Sequence, residues 1–215
     1  GNYTFTRLPM GSYKVEVVAG DAKVDGTDVN LADYKQTYGY GSSTSRSQVG
    51  QGKLVTPAPI ELTAAAPNVT KIDFAFVKPV SLGNFVWFDA NKDGIQDADE
   101  VGVAGVTVTL DGQLDMDVVV DADGNLVKPL TTDANGKYVF TNLLPSDYGV
   151  TFTFPFGYYE TVRTAGDDRS VDSDGAQTWL RLKQGQDDMT VDLGLIADGT
   201  IGDTLFWDVD NNGGS

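Results

Sequence analysis

The chain repeats part of its own sequence, and this repeat limits the folds that it can adopt. The segment Leu82–Asp89 (LGNFVWFD) returns 119 positions later as Ile201–Asp208 (IGDTLFWD). Two further matches keep the same order along the chain: Thr70–Phe76 with Thr190–Leu195, and Gly1–Leu8 with Gly136–Leu143. Self-similarity at a fixed period is typical of tandem modules, each of which is one folding unit.

The repeat predicts three parts. Residues 1–80 are the C-terminal part of a diverged module, residues 81–198 form one complete module, and residues 199–215 are the first strand and partial loop of a following module. The junctions between these parts are a few residues long, so we expect neighbouring modules to form a semi-rigid rod.

Apolar and polar residues alternate through most of residues 81–198, as at Val106, Val108 and Leu110 with threonines between them. This period of two is typical of half-buried β-strands, and Asp-Gly, Asn-Gly and Pro breaks separate the runs at hairpin spacing. No segment keeps a helical period of 3.6. The pattern predicts an all-β protein built of antiparallel, immunoglobulin-like β-sandwich modules in tandem, with about seven strands in the complete one.

Acidic residues dominate the charge. The chain has 31 acidic and 15 basic residues, a formal net charge of −16, and 27 of the acids are Asp. Such a surface repels nucleic acid and anionic membranes and attracts divalent cations. The absence of Cys and His excludes disulfides, thiolate zinc sites and His-dependent catalysis. The sequence also lacks an apolar run long enough to span a membrane, and we expect no enzyme.

A twelve-residue loop follows the first strand of the complete module. Its ligand places match those of a calcium loop, with Gly94 at the sharp turn of place six. The predicted ligands are Asp89, Asn91, Asp93, the carbonyl of Ile95, Asp97 (directly or through water) and Glu100. Because strands and not helices flank the loop, we expect a structural Ca²⁺ site; the alternative is a solvated turn.

Other acidic segments are weaker candidates. Asp167–Asp168 with Asp172–Gly175 predicts either a second ion site or two turns. Asp121–Asn125 is interpreted first as a hairpin turn. Two further candidates are weaker: Asp21, Asp25 and Asp28, and the half-loop Asp208–Gly213.

The complete module resembles a known family. Gly83–Asp97 (GNFVWFDANKDGIQD) is similar to the opening of the B-type repeats of Sdr-family staphylococcal adhesins, and Gly102–Leu110, Thr132–Phe140 and Asp172–Gly175 continue the match. The resemblance implies a CnaB-like, prealbumin-like sandwich at the bacterial cell surface. It also implies calcium binding and a role as rigid spacer, and it adds Asp172 and Asp174 as further metal ligands.

Related collagen-adhesin modules carry an internal Lys–Asn/Asp isopeptide bond. The first strand here, Ser81–Phe88, has no lysine, although Asp192 is available in the last strand. We therefore expect no isopeptide bond in this module. Residues 21–60 depart from the family pattern.

The leading functional hypothesis is a calcium-stiffened stalk whose partners are calcium ions and the neighbouring modules of the parent chain. One alternative is a module that binds carbohydrate or a host protein through Tyr158–Tyr159 or through Tyr34, Tyr38 and Tyr40. Another is a filament subunit, in which Thr200–Asp208 of one copy adds as a strand to the next.

Overall fold

The computed structural model describes residues 3–17, 21–24, 27–36, 59–69, 72, 74–112, 118–197 and 199. These residues form fourteen β-strands and one single-turn 3₁₀ helix, Leu31–Asp33. Within this described part, no helix has the length and apolar character that a membrane crossing requires. The expected all-β class is confirmed.

Short strands make up the N-terminal part. They are β1 (Gly11–Tyr13), β2 (Asp21–Val24), β3 (Thr27–Asn30), β4 (Lys35–Gln36), β5 (Ile60–Leu62) and β6 (Phe76–Val77). They pair antiparallel as β1–β5, β2–β3 and β4–β6.

Eight strands build the complete module. They are β7 (Val80–Phe88), β8 (Thr107–Asp111), β9 (Leu130–Thr131), β10 (Lys137–Leu143), β11 (Asp147–Thr153), β12 (Tyr158–Glu160), β13 (Gln177–Arg181) and β14 (Leu193–Ala197). Two four-stranded sheets result, with strand orders β10-β7-β14-β12 and β13-β11-β8-β9.

The first and last strands of the module lie side by side. β14 pairs parallel with β7, with Leu193 opposite Val86 and Leu195 opposite Phe88, whereas the other pairs in these two sheets are antiparallel. Parallel neighbours need a crossover connection, and here the six intervening strands supply it. This arrangement brings the loop after β7 next to the C-terminal end of the module.

The core lies between the two sheets and confirms the period of two. In β8, Val108 and Leu110 are buried and the threonines beside them are less so. Tyr138 of one sheet meets Phe152 of the other edge to face, with ring centroids 5.5 Å apart. We expected about seven strands; β9 and β12 are too short for alternation to reveal them.

The sequence copies Gly1–Leu8 and Gly136–Leu143 share one backbone feature, although only the second copy forms a strand, β10, in the described residues. Asn142 has φ 59°, and Arg7, which takes the same place in the N-terminal copy, has φ 60°. This left-handed conformation is costly for most side chains, and Asn tolerates it better than Arg. The copies differ in exposure: Tyr138 is 5% exposed and its counterpart Tyr3 is 46% exposed.

Gly136 provides a first test of the sandwich. Its φ is 79°, and a Cβ there would lie 2.2 Å from the carbonyl oxygen of Val86 in β7. Gly105 has a similar φ of 83°, but a Cβ there would meet nothing within 4 Å. Gly105→Ala should therefore cost about 1 kcal/mol of unfolding free energy, and Gly136→Ala at least about 2 kcal/mol more. Urea denaturation measures both, and equal losses would contradict the close approach of Gly136 to β7.

Candidate metal centre

Asp89 begins the predicted loop at the end of β7 and is fully buried. Its Oδ1 accepts from the N–H of Lys92 (2.6 Å), and its Oδ2 accepts from the N–H of Gly94 (2.8 Å) and from the Thr161 hydroxyl (2.5 Å). Its own N–H donates to the carbonyl of Leu195 in β14 at 2.8 Å. The backbone of Asp89 therefore fixes place one of the loop to β14, and its side chain fixes it to the loop itself and to Thr161, the residue after β12.

The places three, five and nine converge on one point. Asn91 Nδ2 lies 2.9 Å from Asp93 Oδ2 and 2.9 Å from Asp97 Oδ2. Asn91 Oδ1 accepts from the N–H of Asp93, and Asp93 Oδ1 accepts from the N–H of Ile95. These side-chain-to-backbone bonds are the Asx-turns that favour Asp and Asn in tight loops. The structure thus brings together three of the predicted ligands.

Gly94 makes the sharp turn that the sequence predicts. Its φ is 78°, and a Cβ there would lie 2.4 Å from the carbonyl oxygen of Val162. Glycine avoids both the strained backbone and the clash.

Glu100 closes the loop. Its Oε1 accepts from the N–H of Ala90 at 2.8 Å, and its Oε2 accepts from the N–H of Asp97 at 3.1 Å. Place twelve therefore lies against both the start and the later part of the loop.

The second acidic segment pairs directly with this loop. Ile95 and Asp172 form a short antiparallel bridge. The N–H of Gln96 donates to the carbonyl of Val171 (2.7 Å), and the N–H of Ser173 donates to the carbonyl of Gly94 (3.2 Å). The two candidate segments are therefore neighbours, which their separation in the sequence did not indicate.

Asp172 and Asp174 lie close together beside Arg169. Arg169 Nη1 is 2.6 Å from Asp172 Oδ2, and its Nη2 is 2.5 Å from Asp174 Oδ1. Asp174 Oδ2 accepts from the N–H of Asp192 at 3.0 Å. Burial raises the pKa of Asp174, although the Asp192 N–H and the Arg169 charge oppose that shift.

Asp192 belongs to the same buried cluster, although the sequence suggested it only as an isopeptide partner. It lies in the segment leading into β14, and its carboxylate accepts from the N–H of Phe85 and from Asn84 Nδ2, both at 3.0 Å. Burial raises the pKa of Asp192 to about 8. The residue of the first strand that faces Asp192 is thus Asn84, whose amide is not a nucleophile of the lysine kind. No local sequence signal distinguishes this Asp from a surface one.

The donors of the first loop suit a hard cation, since all of them are carboxylate, amide or backbone oxygens. In the described residues, no group of three or more Asp, Glu, His or Cys side chains is arranged to hold a metal ion. The carboxylate oxygens of the loop are instead used in hydrogen bonds. Backbone N–H groups bind several of them, and the Asn91 amide nitrogen lies between Asp93 and Asp97. The fit to a hard cation such as calcium therefore concerns the chemistry and the order of these oxygen donors, and not their arrangement in this structure.

The other acidic segments that the sequence suggested as ion sites differ in their structure. Asp121–Asn125 forms a hairpin turn, in which Asp121 Oδ1 accepts from the N–H groups of Asp123 and Asn125. Asp123 also pairs with Lys35 of the N-terminal part at 3.0 Å. Asp28 is exposed. The remaining candidates lie outside the described residues or side chains: Asp21, Asp25 and Asp208–Gly213.

The tyrosines proposed for ligand binding also differ. Tyr158 packs edge to face on Phe88, with centroids 6.4 Å apart. Tyr159 is 49% exposed, and Tyr34 is half-buried. Tyr38, Tyr40 and the strand Thr200–Asp208 fall outside the described residues.

Comparison with known proteins decides the family, because the profile described as "SdrD B-like domain" matches residues 80–195. The chain belongs to the SdrD B-like domain family. The serine-aspartate repeat-containing protein D of Staphylococcus aureus (strain MW2) is 37% identical over 216 residues, which cover 99% of this chain and 14% of that protein. The serine-aspartate repeat-containing protein F of Staphylococcus epidermidis is 32% identical, over 99% of this chain and 11% of that protein. The SdrD B-like chain thus spans a small part of the length of these curated relatives.

Among solved structures, the minor pilin GBS52 of Streptococcus agalactiae matches with a TM-score of 0.38 and 17% identity, over 74% of this chain and 70% of that one. That superposition is too loose to add to the family assignment. Membership of the SdrD B-like family confirms the expected repeat of a bacterial surface adhesin, located outside the cell.

The hydrogen bonds of Asp89 predict a cost that does not depend on any metal. Asp89→Ala removes the acceptor of two backbone N–H groups and of Thr161, so it should lower the unfolding free energy by about 3 kcal/mol in EDTA. Asp97→Ala removes an exposed carboxylate bonded to one side chain, and should cost less than about 1 kcal/mol. Urea denaturation in EDTA compares the two variants; equal losses would refute the anchoring role of Asp89.

Proposed function

We propose that the complete module is a calcium-stiffened spacer of a bacterial surface adhesin, without catalytic activity. One observation carries the proposal: the twelve-place loop is joined to three parts of the module at once. It leaves β7 at Asp89, bonds to Leu195 in β14, and pairs with the acidic segment around Asp172. A cation held by this loop therefore acts where the first strand, the last strand and the second acidic segment meet.

Calcium suits the loop better than magnesium does. Calcium takes six to eight oxygen ligands in flexible geometry, whereas magnesium demands a near-ideal octahedron and keeps several waters. The loop offers four carboxylates, an amide oxygen and the Ile95 carbonyl. Asp89, Asp93, Asp97 and Glu100 are the groups that would hold the ion, and its charge would offset their mutual repulsion. Asn91 would contribute its amide oxygen.

The stiffening follows from where the loop lies. Its backbone starts at the end of the strand that opens the module, and the sequence repeats the start of the loop after the next copy of that strand. A filled loop would restrict the conformations of the segment between β7 and β8, and thereby the local mobility of the module. The short junctions would transmit that restriction to the neighbouring modules.

Thermal unfolding tests calcium binding. A ligand that binds the folded state alone stabilises it by about 2.7 kcal/mol when its concentration is a hundred times the dissociation constant. The wild-type chain should therefore melt at a higher temperature in millimolar Ca²⁺ than in EDTA, and Asp97→Asn should lose most of that increase. Asp99→Asn is the matched control, because Asp99 is an exposed loop residue outside the ligand places. Equal melting temperatures of the wild type in Ca²⁺ and EDTA would end the proposal.

Small-angle scattering of the whole chain tests stiffening apart from binding. With Ca²⁺ the distribution of maximum dimensions should narrow, because fewer orientations of the parts remain accessible. Asp97→Asn should keep the broad distribution in both conditions. If Ca²⁺ raises the melting temperature and leaves the distribution unchanged, the ion stabilises the module and does not stiffen the rod.

A further inference from the structure

Among the described residues, Arg169 is the cation that forms ion pairs with Asp172 and Asp174 of the second acidic segment. Its guanidinium bridges Asp172 at 2.6 Å and Asp174 at 2.5 Å. The two partners are almost inaccessible, with side chains 1% and 7% exposed, whereas the Arg169 side chain is 54% exposed. The guanidinium therefore covers the solvent side of a buried pair of carboxylates.

The cluster beneath Arg169 holds more acceptors than this one residue satisfies. Asp172 Oδ1 is buried and has no hydrogen-bond partner among the residues that the structure describes, although Asp172 Oδ2 is bonded to Arg169. Asp192, fully buried, lies within the same cluster and bonds to Asp174 through its N–H. A buried oxygen without a partner is costly and rare in native proteins. The unpaired oxygen of Asp172 marks a place for a further electropositive group.

Arg169 has a route out of the cluster. More than half of its side chain is exposed to solvent. Water can therefore accept hydrogen bonds from the guanidinium N–H groups once they leave the two carboxylates. Departure of the guanidinium would free Asp172 Oδ2 and Asp174 Oδ1, which would then join the unpaired Asp172 Oδ1. Carboxylates freed in this way are hard oxygen donors of the kind that calcium prefers.

We propose that Arg169 is a built-in competitor for the second acidic segment: it neutralises Asp172 and Asp174 when calcium is scarce, and a divalent cation binds there by displacing it. This inference rests on the proposed function, which supplies calcium as the ion. Because charge-assisted hydrogen bonds must be broken before the ion binds, the second segment fills at a higher calcium concentration than the first loop. The module then responds to calcium in two steps.

Pairing between the segments gives the second step a structural consequence. Asp172 is bridged to Ile95, and Ser173 is bonded to Gly94 of the first loop. An ion at Asp172 would therefore act on the backbone of places six and seven of the first loop. The second step would stabilise the first loop as well as the segment in which the ion is bound.

Calorimetric titration of the whole chain with CaCl₂ tests the competition. Arg169→Gln removes the charge and keeps a polar side chain, so it should tighten the second binding step at least tenfold and leave the first step unchanged. It should also lower the melting temperature in EDTA, because Asp172 and Asp174 lose their counter-charge. Arg169→Lys keeps the charge but not the two-pronged contact, and should give an intermediate affinity.

Arg181→Gln is the matched control. Arg181 also makes a two-pronged pair, with Asp147 at 2.6 and 2.8 Å, but that pair lies on the outer face of the other sheet. The control should leave both calcium steps as in the wild type. The double variant Arg169→Gln with Asp172→Asn should lose the gain in affinity, because it removes a proposed ligand.

The possible results distinguish failure of the Arg169 inference from failure of the proposed function. If Arg169→Gln lowers the melting temperature in EDTA without tightening the second step, Arg169 is a structural ion pair and the inference is wrong. If a first binding step is present and sensitive to Asp97→Asn but no variant shows a second, the inference fails and the proposed function stands. Absence of calcium binding by every variant and by the wild type would overturn both.

Discussion

Burial of the Asp89 carboxylate is the constraint on which the loop and its surroundings depend. A buried carboxylate is tolerated when it is fully hydrogen-bonded, and Asp89 meets this need with two N–H groups of its own loop and the hydroxyl of Thr161. Those bonds fix the turn at Gly94. They also fix the distance between the end of β7 and the segment after β12. The loop is thus folded around a charge that the sandwich core already holds in place.

The parallel pairing of β7 with β14 decides how a pulling force would act on the module in the proposed spacer. The chain enters the module at Val80, at the start of β7, and leaves at Ala197, at the end of β14. Because the two strands are parallel neighbours, these points lie toward opposite ends of the pair. In the proposed spacer, tension along the chain would therefore load their shared hydrogen bonds together, in shear. The bond from Asp89 to Leu195 lies at the end of this pairing, so the loop borders the part of the module that would bear such a load.

Much of the fold, and the loop from Asp89 to Glu100, can be predicted from local sequence. Alternation at Val108 and Leu110, and the order of Asp, Asn and Gly from Asp89 to Glu100, indicate strands and a cation loop because both patterns arise within a few residues. The pairing of Ile95 with Asp172 joins residues 77 positions apart, and it depends on how the sheets pack. The buried position of Asp192 could not be predicted for the same reason, since its carboxylate is bonded to Asn84 and Phe85 of β7. The role of Arg169 is set by neighbours whose burial the sequence does not encode locally.

The strong net negative charge of the chain affects both acidic sites. Of the 31 acidic residues, the first loop uses four as predicted ligands, so ion binding there leaves most of the negative charge in place. That remaining charge disfavours association between copies of the chain and with anionic surfaces. Repulsion over distances beyond about 8 Å is screened at physiological ionic strength, so the remaining charge acts mainly on close contacts between molecules.

Within the module some carboxylates lie closer together than this distance, and their repulsion must be offset by groups beside them. Arg169 meets it at Asp172 and Asp174, while the first loop, which has no such internal cation bridging its ligands in the described structure, relies on backbone N–H groups and the Asn91 amide. This difference makes the first loop the more favourable place for an external cation.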